Sequence, residues 1–205
     1  MLNLQAVRHA PVVHEPFHFL IAENVVGADE APALGHDFPK ISRTGSFPLS
    51  ELTYGPAFRQ LVSEMTSDSV RDLLSTQLGV PLAPYVPIVT VRGRIGRKDG
   101  AVHTDAKWKI ATVLLYLNET WGTGGGRLRL LRDQNIEHTI REIPPKWGTL
   151  LAFVRSDCSW HGHLPAEGER RVVQLNWVTS QEKADAELQR HRRSGWLKRL
   201  FGKSY

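Results

Sequence analysis

From Pro56 to Leu78 the apolar residues Phe58, Leu61, Val62, Met65, Val70, Leu73, Leu74 and Leu78 recur at three- and four-residue intervals, the period of one buried helix face. Thr66, Ser67 and Asp68 interrupt that run with cap-type side chains, and Gly79 followed by Pro81 stops it, so the pattern predicts two helices. Earlier, the stretch 16–26 reads as a strand or buried extended run. After Pro87 the texture changes. Residues 88–91, 110–118, 127–131, 136–143, 149–154 and 172–178 are short runs rich in β-branched and aromatic side chains, separated by Gly and Pro turn signals. Helices followed by many short strands predict an α+β domain dominated by a β-sandwich or barrel. From Ser180 onward the pattern turns helical again.

Length and charge narrow this further. A chain of 205 residues suits one domain, and 41% hydrophobic residues suffice for one core. The expected division is a main domain over 1–180, with a strand-rich core at about 88–178, and a basic helical tail over 181–205. Of the net charge of +5, the segment from Gln181 to Tyr205 carries +4. The main domain is therefore nearly neutral and no nucleic-acid partner is expected. Cys158 is the only cysteine, which excludes an intrachain disulfide; its expected role is that of a small buried residue. The opening residues lack a continuous apolar segment of signal-peptide length, and no run approaches the roughly 20 apolar residues of a membrane span. The expected location is cytoplasmic.

His103-Thr104-Asp105 is the first triplet with chemical content. In an extended segment, side chains two apart share a face, so an imidazole and a carboxylate converge. Ser159-Trp160-His161-Gly162-His163 supplies further imidazoles, with His161 lying 58 residues past His103. Two His and one carboxylate on one face of an octahedron form the ligand set of non-haem iron oxygenases, and the remaining positions stay open to reactants. Alone, His-x-Asp is a weak signal, and a solvated loop histidine is the commoner outcome. Arg170 and Arg171 open the strand 172–178. Alternation groups Arg171 with Val173, Leu175 and Trp177, and Arg170 with Val172, Gln174 and Asn176. A guanidinium on the more apolar, inward face needs an anion there, which predicts that Arg171 meets either a bound carboxylate or an internal acid.

The region from about Val89 to Val178 resembles the 2-oxoglutarate and Fe(II)-dependent oxygenase superfamily, in its prolyl-4-hydroxylase-like branch. The resemblance rests on HTD (103–105), TVLLYLN (112–118), GGRLRL (125–130), PKWGTLLAF (145–153), SWHGH (159–163) and GERRVVQLNW (168–177). It implies that 1–180 is an oxygenase domain built on a double-stranded β-helix, or jelly roll, here with an N-terminal helical layer and a C-terminal helix. It further implies Fe(2+) held by His103, Asp105 and His161, with 2-oxoglutarate and O2 as co-substrates and hydroxylation at carbon with release of succinate and CO2. By the same resemblance Arg171, ten residues past His161, holds the distal carboxylate of 2-oxoglutarate, and Thr112 is a further contact. His163 is assigned a supporting or substrate-facing place. Two positions depart from the family's habit. The strand before His103 reads VTVRGR without the usual Tyr, leaving Arg92, Arg94 or Thr90 on that side, and Lys109 stands where an Arg is common.

Other features are ambiguous by sequence. Arg92 and Arg94, with Arg97 and Lys98, either draw an acidic or phosphorylated substrate or are ordinary solvated charges. Trp108 and Trp121 either stack on substrate or pack at a rim. The substrate class expected is a small molecule, a sugar or a peptide. In the tail, Trp196, Leu197, Leu200 and Phe201 among basic residues suggest weak membrane-surface contact or docking on the domain or on a second copy in a homodimer. Two other functions compete: a non-enzymatic cupin-like metal- and ligand-binding protein, and a zinc hydrolase. An inward Arg favours the oxygenase over the first, and the lack of a well-placed general base disfavours the second.

Overall fold

In the computed structural model, residues 1–122 and 124–201 are described, with side chains to residue 192. The chain opens with α1 (Leu4–Arg8), β1 (Val12–Val13), β2 (Phe19–Ala22), α2 (Ala31–Asp37) and β3 (Phe47–Pro48). Two longer helices follow, α3 (Pro56–Met65) and α4 (Asp68–Leu78). Then come β4 (Val86–Ile95), β5 (Lys109–Tyr116), β6 (Leu128–Leu131), β7 (Thr139–Ile143), β8 (Thr149–Val154), β9 (His161–Gly162), β10 (Gly168–Val178) and α5 (Gln181–Phe201). The two helices foreseen over 56–78 form with the break where the cap residues stand. Pro56 occupies the first turn of α3, where its missing N–H costs nothing. The Ser67 hydroxyl accepts the Val70 N–H at 3.3 Å to start α4, and Gly79 ends it in the left-handed conformation, φ +68°.

The strands make two antiparallel sheets, one of seven strands in the order β1-β2-β8-β5-β10-β4-β3 and one of three in the order β7-β6-β9. The large sheet is covered on both faces, which is why its strands read as almost unbroken apolar runs. Ala111, Val113, Leu115, Leu150, Ala152, Val173, Leu175 and Trp177 meet Phe58, Leu61, Met65, Leu74 and Leu78 of the helical layer. The alternate residues Leu114, Tyr116, Leu151, Phe153 and Val172 join Leu128, Leu130 and Ile143 of the small sheet in a second cluster. Which face of a central strand is the more apolar is therefore decided by the helices. The inter-sheet face can keep polar groups because it opens onto a cavity.

The start of α5 packs on β3, β4 and β10, with Ala184 buried beside Ile88 and Val178. The tail is thus continuous with the domain at its first turns. The side chains of Trp196, Leu197, Leu200 and Phe201, on which the membrane-surface reading rests, lie outside the described ones. No helix among the described residues is long and apolar enough to cross a membrane. Cys158 is exposed, contrary to the expectation of a buried residue, with its thiol donating to the Pro16 carbonyl at 3.0 Å.

Candidate metal centre

Two segments that are distant in sequence are locked together by backbone pairing. The His103 N–H donates to the His161 carbonyl at 3.0 Å, and the His161 N–H returns to the His103 carbonyl at 2.9 Å. β9 also pairs with β6, Leu130 opposite His161, so the ligands are mounted on the small sheet. His103, Asp105 and His161 then offer ligand atoms that all lie within 4.8 Å of one another. The two imidazoles stand 4.4 Å apart between ring centroids.

Backbone carbonyls set the histidine tautomers. His103 Nδ1 is 2.8 Å from the Ala101 carbonyl and His161 Nδ1 is 2.9 Å from the Ser159 carbonyl. A carbonyl can only accept, so each neutral ring carries its proton on Nδ1 and presents the Nε2 lone pair to a metal. Burial pushes His161 down to about 4, outweighing the upward pull of Asp105, so this ring is unprotonated at neutral pH. Burial would raise Asp105, but the charges of Lys109 and His161 and hydrogen bonds from Thr112 and Lys109 hold it at about 2. Asp105 and His161 are therefore in the forms that can bind a metal at neutral pH.

Asp105 is oriented from several sides. Thr112 Oγ1 donates to Asp105 Oδ2 at 2.5 Å, and Asn176 Nδ2 donates to Thr112 Oγ1 at 2.6 Å. Lys109 Nζ donates to Asp105 Oδ1 at 2.9 Å, and Arg155 Nε holds the Asp105 carbonyl at 3.1 Å. Thr112 thus reaches the candidate carboxylate ligand itself, and Lys109, noted in the sequence only as a departure from the family, and Asn176, given no role there, complete the support. Their signal was available: Thr112 and Asn176 are the polar members of adjacent, inward-facing strand positions.

The site opens into a cavity of about 790 Å³. Phe153, Leu114, Leu128 and Val172 supply apolar wall, while Arg92, Trp108, Thr112, His163, Arg170 and Gln174 supply polar and aromatic wall. The first residues of α5 close another side with Lys183, Glu187, Arg190 and His191. His163 lines this cavity but is not among the clustered ligands, and its own Nδ1 is engaged by the Leu164 carbonyl at 2.9 Å. Gly100 makes the close approach to His163 possible. It adopts φ +94°, and a Cβ there would sit 2.3 Å from the His163 ring.

The expectation for Arg171 is corrected. Arg171 lies over Phe38 beside α2, pairs with Glu169, and leaves the metal cavity to its neighbour. Arg170 is the buried one, 4% exposed, and its guanidinium donates to the Tyr116 hydroxyl at 3.2 Å. The alternation grouped these residues correctly. The error was to take the more apolar face as the one turned toward the cavity, when that face is the one the helices cover. Arg94 is likewise displaced from the metal cavity, lining instead a second depression with Lys40, Glu169 and Arg171. Arg92 does face the metal cavity. Tyr116 was missed as a site residue, although its position four residues past Thr112 puts it on the same strand face.

The arrangement accepts two kinds of guest. The cluster of two imidazoles and one carboxylate suits a divalent transition metal. Arg170 suits an anion: its Nε is buried without a hydrogen-bond partner, and no carboxylate among the described residues pairs with its guanidinium. A dicarboxylate reaching from metal to Arg170 would satisfy both.

Residues 94–179 match the family model described as the 2OG-Fe(II) oxygenase superfamily. Among solved structures, a prolyl-4-hydroxylase from Pseudomonas putida is 19% identical over 80% of this chain and 94% of its own, TM-score 0.55. A viral collagen prolyl hydroxylase from Paramecium Bursaria Chlorella virus-1, solved with 2OG, is 16% identical over 78% of this chain and 94% of its own, TM-score 0.55. A prolyl 4-hydroxylase from Phytophthora capsici is 22% identical over 89% of this chain and 68% of its own, TM-score 0.51. At these identities the structural likeness speaks for the fold. No curated protein matches the sequence. The resemblance to the 2OG-Fe(II) oxygenase superfamily is thereby borne out over residues 94–179, a family that implies Fe(2+), 2-oxoglutarate and O2, and the likeness to the prolyl hydroxylases is one of fold.

Proposed function

We propose, from the premise that residues 94–179 carry the 2OG-Fe(II) oxygenase signature, that this protein hydroxylates a C–H bond of its substrate while converting 2-oxoglutarate to succinate and CO2. In the balanced reaction one oxygen atom of O2 enters the new hydroxyl group and the other enters succinate. The observation that carries this reading is the meeting, in one cavity, of the His103-Asp105-His161 cluster with the buried Arg170–Tyr116 pair. The two antiparallel sheets facing each other there are read as the halves of a double-stranded β-helix.

Fe(II) bound at the cluster would supply the oxidising chemistry. His103 and His161 would hold it through Nε2 and Asp105 through a carboxylate oxygen that Thr112 and Lys109 keep oriented. Arg170 would grip the distal carboxylate of 2-oxoglutarate, with the Tyr116 hydroxyl beside it as a second donor, since its oxygen accepts from Arg170 and its own proton stays free. Phe153, Leu114 and Val172 keep the intervening space apolar, which strengthens the ion contact at its far end. A mere metal-binding barrel has no need of that buried guanidinium. A hydrolase reading is less well served by the cavity's acids among the described residues: Asp105 belongs to the metal cluster and Glu187 is tied to Arg190 and His191.

Anaerobic titration with Fe(II) and 2-oxoglutarate should produce a visible metal-to-ligand charge-transfer band, and admitting O2 should release succinate. Asp105→Ala and His161→Ala should each remove both signals. A metal-loaded wild-type protein that gives neither band nor succinate would overturn the reading.

A further inference from the structure

The cations of the metal cavity are matched with partners, apart from Arg92 on β4 and Lys183 at the exposed rim. Lys109 is held by Asp105 and Arg190 by Glu187. Arg170 meets Tyr116 and, in the function proposed above, the co-substrate. The Arg92 side chain makes no hydrogen bond or ion pair among the described residues. Asp99 acts on it through space, without a hydrogen bond or ion pair between them, and its Oδ2 accepts the Gly96 N–H. Arg92 stands opposite Val172 on β10, which in turn stands opposite Tyr116 on β5, so it faces the same inter-sheet space one strand further out. Burial, and then the charge of Arg170, push the Arg92 guanidinium below its ordinary value. Two guanidiniums sharing a low-dielectric cavity repel each other, and such an arrangement is stable when anions are bound between or beside them.

One bound dicarboxylate does not balance this set, since its proximal carboxylate goes to the metal and its distal one to Arg170. We infer that the substrate to be oxidised is a small molecule bearing its own carboxylate or phosphate, held by Arg92, with Lys183 of α5 adding positive potential at the cavity rim. This rests on the oxygenase reading. A guanidinium fork serves carboxylate and phosphate alike. The size argument favours a small molecule over a peptide, because co-substrate and substrate must share about 790 Å³, within the range of small-molecule sites.

The test is calorimetric, on the full chain loaded with Fe(II) under anaerobic conditions and saturated with 2-oxoglutarate. Inorganic phosphate and acetate are titrated separately, and the tighter of the two identifies the anionic group. One additional anion should bind per chain. Arg92→Gln should weaken it about tenfold or more, equivalent to about 1.4 kcal/mol, and Arg92→Lys should restore part of the loss. Arg170→Gln should weaken 2-oxoglutarate more than Arg92→Gln does. Absence of a second anion site, or equal loss of 2-oxoglutarate affinity in the two Gln variants, overturns the inference, the latter because both guanidiniums would then serve one carboxylate. If 2-oxoglutarate itself fails to bind, the oxygenase reading falls instead. Phosphate or acetate binding that still depends on Arg92 would then uphold the anion site alone.

Discussion

Arg170 and Tyr116 meet inside the cavity, the guanidinium carbon 5.1 Å from the ring centroid and its nitrogen 3.2 Å from the phenolic oxygen. Arg171, one residue on, faces α2 on the other side of the sheet. The two neighbours should therefore behave differently. Arg170→Gln should weaken 2-oxoglutarate binding by roughly 2–5 kcal/mol, the loss expected when one partner of a buried charged contact is removed. Arg171→Gln should change it by less than about 0.5 kcal/mol, the range of substitutions away from such contacts. Titration of the Fe(II)-loaded variants measures both, and a larger loss in the Arg171 variant would place the clamp on the wrong face.

Thr112 would act on a bound metal through Asp105, to which its hydroxyl donates. Thr112→Val keeps the shape but removes the donor to Asp105 Oδ2 and the acceptor for Asn176. Metal affinity should fall about 10- to 100-fold, as for other groups that orient a ligand. Leaving the Asn176 amide unpaired should also cost about 1–3 kcal/mol of stability. Competition with a metal-sensitive dye measures the first, denaturant unfolding the second. Unchanged metal affinity would reduce Thr112 to a packing residue.

Acid should act on the seat of α5 through Glu187. Burial opposes its charge, yet hydrogen bonds from His191 and Arg190 bring it down from 4.5 to about 2. A carboxyl depressed in the folded state stabilises above its unfolded value, and the contribution disappears as pH falls through the folded one. The advantage of wild type over Glu187→Gln should therefore be full above pH 4.5 and vanish toward pH 2. Thermal melts of the two proteins across that window give the result. A difference that stays constant with pH would mean that the carboxylate's charge plays no part in holding α5.

Phe58 tests whether the helical layer supports the fold without touching the chemistry. It is fully buried, edge-on to Phe38 at 5.3 Å and to Tyr54 at 5.4 Å between centroids. Phe58→Ala should cost about 3–5 kcal/mol of stability through lost burial and the cavity left behind. The folded variant should keep its Fe(II) and 2-oxoglutarate affinities. Loss of metal binding below the unfolding transition would show that the layer positions the ligands.

Local patterns in the sequence carried the elements and the ligands. The helices over 56–78, their break at Thr66-Ser67-Asp68 and the Gly79 stop were legible because they depend on neighbours three or four residues apart. The strand runs were legible for a similar reason, as was the pairing of His103 with Asp105. That His161 completes the set came from resemblance, and the structure gives its cause, the mutual backbone pairing of His103 and His161. What only tertiary structure decided is which face of each central strand looks inward. Alternation sorts Arg170 from Arg171, but it is symmetric between the two sides of a sheet. Here both sides are buried, and the more apolar side, that of Val173, Leu175 and Trp177, lies against Phe58 and Leu74 rather than against the metal. Tyr116 entered the cavity with the face of Thr112, whereas Arg94 and Lys109 stand beyond register shifts in their ladders with β10, between Glu169 and Val172 and between Trp177 and Val178, where alternation counted along one strand no longer holds; which face a sheet turns inward, and where its register shifts, are properties of the whole chain.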